Sequence, residues 1–437
     1  MRPQEVIQRV RIAALIMSVI LLPYSISFCH FFILLFIVVS LMERKWKTKI
    51  TMVLTNPIAL LFILFFILHL IGILYSADQK NAWFDVDKKA FLFALPIVLI
   101  ISSPIGKEQT HRLFNWFIAS CTAGTFVCLY YGFLGASASN ESFYFNSLTS
   151  SEFYSPTFSN LWKFFTYGPL ASGIGINPSY FSLYLIFCLL LLSQLNQQLF
   201  GNYPFLRKIG LSLLWIYLSV FVILLSSRIM IIALLVLNGF ASYNYFTTEK
   251  LWRKIGFASL VVAILCSLIY LNPVSRYRSE EVMITSKTFE LESLQTQSVG
   301  IRASLWWQGI KAFQSVNPFW GAGTGDVNAV IEESGRQYHI SNVLHSSNPH
   351  NQFLYTLIGL GSLGLLVLLS CLFLPAYFAL RQSNYFYLGF LLIFTLLCIT
   401  ESALEFQKGI AFFALFNSIL IFSYCDIKIL SLKRVTL

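Results

Sequence analysis

Two arginines and a histidine stand at the edges of apolar stretches. Arg228 interrupts Leu-Leu-Ser-Ser-Arg-Ile-Met-Ile-Ile, Arg302 sits in the long polar stretch of the C-terminal half, and His350 closes that stretch in Ser-Asn-Pro-His-Asn-Gln-Phe. Burying charge near a bilayer is costly, so such residues are kept for a reason. A guanidinium stays charged and offers a planar fork to phosphate oxygens. A neutral imidazole can take a proton from a hydroxyl. Two cations and a base on one membrane face predict chemistry on an anionic, lipid-borne substrate, whose negative charge the arginines would meet.

Other residue patterns compete with this reading. His339, His345 and His350 cluster near Asp326, Glu332 and Glu333, which raises a metal site. The histidine spacings do not fit the usual zinc patterns, so no metal is expected. Gly321, Gly323 and Gly325 could cradle phosphate through backbone N–H groups. They lack the Lys-Ser/Thr ending of a nucleotide loop, and a structural turn is the expectation. No nucleotide or other cofactor is expected either. An arginine at a helix end can also simply snorkel to headgroups, and a histidine before a helix can simply cap it.

The elements that must position these residues follow from composition. The chain has 437 residues, is 57% hydrophobic and only 11% charged. Soluble domains carry about 25% charge, so lipid must be the solvent for most of this surface. Solid apolar runs exclude a β-barrel, leaving an all-α polytopic membrane protein. Three runs exceed the roughly 20 residues of one span. They split near Pro23-Tyr24-Ser25, at Ser226-Ser227-Arg228, and between Glu401 and Lys408. About twelve transmembrane helices result. Nine lie within 1–271, which include a loop at 136–172. A long loop with amphipathic helices spans 272–349, and three more membrane helices follow in 350–437.

With the N-terminus inside, inside segments hold eighteen of the thirty Lys and Arg residues and short outside segments hold six. The asymmetry places 272–349 outside the cytoplasmic membrane, where Ser334 would face water. The net charge of +11 is therefore mostly a topology signal, and nucleic acid is not an expected partner. The eight cysteines fall in or beside apolar runs and predict packed thiols rather than a disulfide framework. Within the polar loop, apolar positions recur at helical spacing after Arg302, through Trp306 and Trp307.

His350-Asn351 followed by Gly359-Leu-Gly361-Ser-Leu-Gly364 resembles the closing motif of the O-antigen ligase and polymerase superfamily. The pair Ser227-Arg228, the spacing Arg302 to Trp306 with Pro318, Gly321 and Gly323 after it, and Thr400-Glu401-Ser402 agree with that family in order. Gly175-Ile-Asn177-Pro-Ser-Tyr180 is a looser match to a helix start of the same proteins. The resemblance covers roughly residues 170–425. It implies a bacterial inner-membrane enzyme that takes a glycan from undecaprenyl pyrophosphate at the periplasmic face. The acceptor is a lipid A core sugar in ligases, another lipid-linked repeat in polymerases, and a protein in related enzymes. It implies that Arg228 and Arg302 hold the pyrophosphate and that His350 is the base. It also implies that Asn351, Trp306, Ser227 and Tyr180 line the substrate. The arrangement stands closer to the ligase branch. A single displacement would invert the anomeric carbon. A transporter or flippase of similar helix number would show related halves and mid-membrane charge. No such repeat is visible here.

Overall fold

The computed structural model describes residues 3–43, 49–138, 162–199, 205–245, 250–276, 278, 298–338 and 348–424. Among them the chain is all-helical, with a lone bridge between Asn317 and Gly321 and no strand. The helices are α1 Pro3–Leu21, α2 Ile26–Leu41, α3 Ile50–Leu54, α4 Pro57–Tyr75, α5 Gln79–Ile101, α6 Lys107–Ala138, α7 Trp162–Phe165, α8 Tyr167–Ser172, α9 Pro178–Leu199, α10 Phe205–Leu224, α11 Arg228–Tyr245, α12 Leu251–Leu271, α13 Ser298–Gln314, α14 Val327–Gln337, α15 Gln352–Arg381, α16 Tyr385–Thr400 and α17 Gln407–Ile419. The three expected splits all fall between helices. By length and composition, α4, α6, α12 and α15 are long and apolar enough to cross a membrane, and six described apolar helices are shorter. Two compact units form, one from 1–113 with 288–437 and one from 114–287.

In the first unit the chain marks its own helix starts. Asn56 precedes Pro57, and its Oδ1 accepts from the N–H groups of Ile58 at 3.1 Å and Ala59 at 3.0 Å. A polar cap followed by proline satisfies donors that the helix leaves open. Asp78 caps α5 through Asn81 N, and Asn384 caps α16 through Tyr387 N. Helix α17 is buried on every side from Gly409 to Ile419. A helix apolar all round belongs in the middle of a bundle. There Phe413 stacks on Phe394 with ring centroids 4.2 Å apart, and Phe390 stacks on Phe413 at 6.1 Å.

Helix α15 is broken at Gly361, where φ is 66° and ψ is −166°. Intact helix would pair Ser362 N with Ile358 O and Leu363 N with Gly359 O. Instead the loop after α13 takes up all four groups. Ala322 N donates to Ile358 O and Gly323 N to Gly359 O, at 2.8 and 2.9 Å. Ser362 N donates to Pro318 O and Leu363 N to Phe319 O, at 2.8 and 3.4 Å. Backbone polar groups away from water need such partners, so the loop repairs the break it occupies. A Cβ at Gly361 would lie 2.2 Å from Phe319 O, and one at Gly321 would lie 2.5 Å from the Gly359 backbone. The same loop bonds α4: Tyr75 Oη donates to Trp320 O at 2.6 Å, and Thr324 Oγ1 to His69 O at 2.8 Å.

Helix α14 was not legible as a helix in the sequence. Val327 and Ile331 bury one face against Ala312, Tyr355 and Ile358. Ser334, expected to face water, is buried with its hydroxyl directed to Gln308 O.

The second unit contains most of α6 together with α7–α12. Helix α9 is buried from Tyr180 to Leu192. Helix α12 fully buries only Leu265, which suits a lipid-facing span. The loop 136–172 falls largely outside the described residues.

Candidate active site

His350 reaches its place through local chemistry. Its φ is 46°, in the left-handed region, which histidine visits more readily than most side chains. Asn348 holds it there: Oδ1 accepts from His350 N at 2.8 Å and from the Ser402 hydroxyl at 2.7 Å. The next residue, Asn351, starts α15 by accepting from Leu354 N at 3.0 Å. Asn351 is thus a cap in this structure, with its oxygen already engaged. The imidazole is therefore set at a helix entrance by side chains on either side of it.

Glu401 receives that imidazole. Nδ1 of His350 lies 3.2 Å from Glu401 Oε2, and Arg302 donates through its Nη2 to Oε1 at 2.8 Å. The Glu401 side chain is 3% exposed, whereas Arg302 and His350 are 26% and 29% exposed. One buried carboxylate thus carries two heads that reach toward solvent. An ionised carboxylate can only accept, so in the neutral imidazole that faces it Nδ1 would carry the hydrogen and Nε2 the lone pair. Arg302 neutralises the buried charge that orients the ring, which is the condition for keeping a carboxylate there. Arg302 lies in the first turns of α13, and Trp306 follows one turn later, half-buried. The Trp306 indole N–H is buried without a hydrogen-bond partner among the described residues.

A second set of polar side chains lies beneath the link from α16 to α17. Lys89 of α5 pairs with Glu405 at 2.5 Å, and both side chains are at most 5% exposed. Gln352 donates to Glu405 Oε1 at 3.1 Å and accepts from Leu404 N at 2.6 Å. Lys88 pairs with Asp85, and Tyr355 donates to Asp85 at 3.4 Å. Burial pushes the Glu405 carboxyl above the usual carboxylate range, an effect that Lys89 opposes.

The glycine-rich turn is not a phosphate cradle. Gly321 N donates to Asn317 O, Gly323 N to Gly359 O, Thr324 N to Gly72 O and Gly325 N to the Ser76 hydroxyl. Asp326 is likewise occupied, accepting from Ala77 N and Asp78 N at 2.6 and 2.8 Å. His339 and His345 lie outside the described residues. Among the described residues no group of three or more His, Cys, Asp or Glu is placed to hold a metal ion.

Arg228, Ser227 and Tyr180 belong to the second unit. Arg228 is the first residue of α11, and its Nε–H donates to Arg278 O at 2.8 Å. The turn before it is strained at Ser226, φ 51°, and is clasped by Ser275, whose hydroxyl lies 3.0 Å from that of Ser226. Ser227 lies 3.4 Å from the Ser179 hydroxyl, next to Tyr180, which is buried in the first turn of α9. That helix begins at Pro178 after Asn177, whose Oδ1 accepts from Ser179 N at 2.8 Å.

The structure thus joins Arg302 and His350, through an acid whose role the sequence did not reveal. Glu401 is legible as part of a polar break between apolar runs and of the Thr400-Glu401-Ser402 stretch that carries the resemblance, but its pairing with His350 and Arg302 depends on the fold. Gln352, Glu405 and Lys89 were missed as well. Their one signal is ionisable or amide character inside or at the edge of an apolar run.

Residues 213–369 match the family model described as O-antigen ligase. The matched span runs from α10 into α15, holds Arg228, Arg302 and His350, and stops short of Glu401. No curated protein matches the chain.

Proposed function

We propose that this multi-pass member of the O-antigen ligase/polymerase superfamily is a glycosyltransferase that moves a glycan from undecaprenyl pyrophosphate to a sugar hydroxyl of the lipid A core. The observation that carries the reading is the shared carboxylate: Glu401 orients His350 and balances Arg302. In this reading Nε2 of His350 takes the acceptor proton as the hydroxyl oxygen attacks the anomeric carbon. The bond from that carbon to the pyrophosphate oxygen breaks, the anomeric centre inverts, and the lipid pyrophosphate leaves with the electron pair. Arg302 stands beside the base and would meet the growing phosphate charge. Arg228 enters from the sequence as the second guanidinium for the donor, and Trp306, Asn351, Ser227 and Tyr180 as substrate neighbours. The donor link carries the free energy, so neither nucleotide nor metal is required. The site would face the periplasm of the bacterial inner membrane, with 272–349 covering it. About twelve transmembrane helices remain part of this proposal.

The test is deletion of the chain followed by lipopolysaccharide gels and extraction of the lipid carrier. Loss of long-chain bands with polymer collecting on the carrier supports the ligase. Core bearing a single repeat points to a polymerase, and unchanged lipopolysaccharide with altered glycoproteins points to protein as acceptor. Repeat units retained on the cytoplasmic side would indicate a flippase and overturn the transferase.

A further inference from the structure

The contact between His350 and Glu401 depends on two segments that are far apart in sequence, 348–352 and 401–405. Side chains clasp them together at two places. On one side the Asn348 oxygen receives both His350 N and the Ser402 hydroxyl. On the other, Gln352 accepts from Leu404 N at 2.6 Å and donates to Glu405 at 3.1 Å. The Gln352 amide also donates to Thr356 Oγ1 at 3.1 Å, and the residue is fully buried. Asn351 already supplies the cap of α15, so helix initiation does not explain a buried amide at the next position. Glu405 is itself anchored, on Lys89 of α5 at 2.5 Å and through its carbonyl on Lys88 at 3.3 Å.

The link these contacts grip is buried from Glu401 to Glu405 but is not helical. Glu401 is in extended backbone, φ −143° and ψ 144°, just past the end of α16. Two short internal bonds shape the turn: Ala403 N donates to Glu401 O and Glu405 N to Ser402 O. The Gln352 side chain ties that turn to the first residue of α15. Buried ion pairs such as Lys89–Glu405 add little net stability against an apolar replacement. Their documented use is to fix one arrangement among several, and here the arrangement fixed is the one that brings Glu401 to the imidazole.

We propose that Gln352 is a positioning residue for the His350–Glu401 pair, with the Lys89–Glu405 ion pair as its anchor. This rests on reading His350 as the base and Glu401 as its orienting acid. Gln352 presents an acceptor to one residue of the link and a donor to the next. Leucine would lose both. Glutamate would keep the acceptor for Leu404 N but oppose the Glu405 carboxylate. Displacing a reacting group by about 1 Å costs on the order of a hundredfold in rate.

The experiment compares wild type, Gln352→Leu, Gln352→Glu and the exchange pair Gln352→Glu with Glu405→Gln, each purified in nanodiscs with ¹⁵N-labelled histidine. The ¹⁵N signal of the His350 Nδ1, assigned by its loss in His350→Ala, reports the hydrogen bond to Glu401 whether or not any substrate is found. Transfer kinetics give the second readout. The expected result for both single variants is an Nδ1 signal moved toward that of Glu401→Gln, a fall in kcat of tenfold to a hundredfold, and a donor KM within twofold of wild type. The exchange pair restores a donor–acceptor match across the same gap, with the new amide oxygen at 405 still able to accept from Lys89, and returns the signal and at least a tenth of the wild-type kcat. A folded Gln352→Leu with the wild-type signal overturns the proposal, as does an exchange pair no better than its worse single variant. If Gln352→Leu does not fold, the glutamate variant and the exchange pair decide. Wild-type protein inactive with lipid-pyrophosphate donors would remove the transferase reading, while the ¹⁵N comparison would still judge Gln352.

Discussion

His350 and Arg302 bind opposite oxygens of one buried carboxylate, Glu401, at 3.2 and 2.8 Å. In the proposed reaction, base orientation and phosphate contact would both depend on a single acid. Removing Glu401 would release the ring and unbalance the arginine together.

Glu401→Gln is therefore expected to lower kcat by about a hundredfold or more, close to His350→Ala, since a general base contributes roughly 10²–10⁴. The double variant should be little worse than either single one, because the two residues act as a unit. Single-turnover transfer with purified protein measures this. Additive losses would show that Glu401 works apart from His350.

Arg302→Lys and Arg228→Lys are each expected to reduce transfer at least tenfold. Lysine keeps the charge but loses the planar fork, and at position 302 it would leave one of its tasks undone. The readout is the rate at saturating donor. Full activity in both lysine variants would reduce the role of these residues to charge alone.

Transfer should persist in excess chelator and without ATP. The Arg302–Glu401–His350 set needs no ion to hold it, and Asp326 spends its oxygens on Ala77 N and Asp78 N. Rescue of a chelated enzyme by one particular divalent ion would direct attention to His339 and His345.

A membrane-impermeant thiol reagent added outside intact spheroplasts is expected to label Asn328→Cys in a thiol-free background. Asn328 is exposed on α14, whereas Ser334 is buried and unsuited to this use. Labelling that requires opened membranes would turn the topology over, and the use of an outward-facing donor with it.

Gly361→Ala should destabilise the protein by about 2 kcal/mol or more, since the backbone region it occupies is open essentially to glycine alone. The methyl would also meet Phe319 O. A lower unfolding midpoint in detergent, with early proteolysis within 317–325, is the expected outcome. An unchanged midpoint would mean that the loop and the helix break are only loosely coupled.

Several of these features were readable from residue order. Polar interruptions at Pro23–Ser25, Ser226–Arg228 and Glu401–Lys408 marked helix ends, because the apolar spacing stops there. Arg302 and His350 stood out for the same reason. The break at Gly361 did not, because Gly359, Gly361 and Gly364, two and three residues apart in an apolar run, read equally as small residues that let helices pack closely. Helix α14 was hidden because its polar face dominates its short sequence, and it owes its form to packing on Tyr355 and Ile358. The Glu401 contacts join residues 99 and 51 positions apart, and no local pattern encodes such a closure.

The stitch between the 318–324 loop and the broken α15 has a consequence for biogenesis. Its bonds tie the loop forward to Ile358, Gly359, Ser362 and Leu363, and back to His69, Gly72 and Tyr75. A ribosome has made nearly the whole chain before those forward partners exist. Until α15 leaves the insertion machinery, the loop lacks the backbone it repairs, and the helix cannot complete itself at Gly361. Chains cut short between the loop and α15 thus leave Pro318 O, Phe319 O, Ala322 N and Gly323 N open, backbone groups that quality-control proteases of the membrane would meet first.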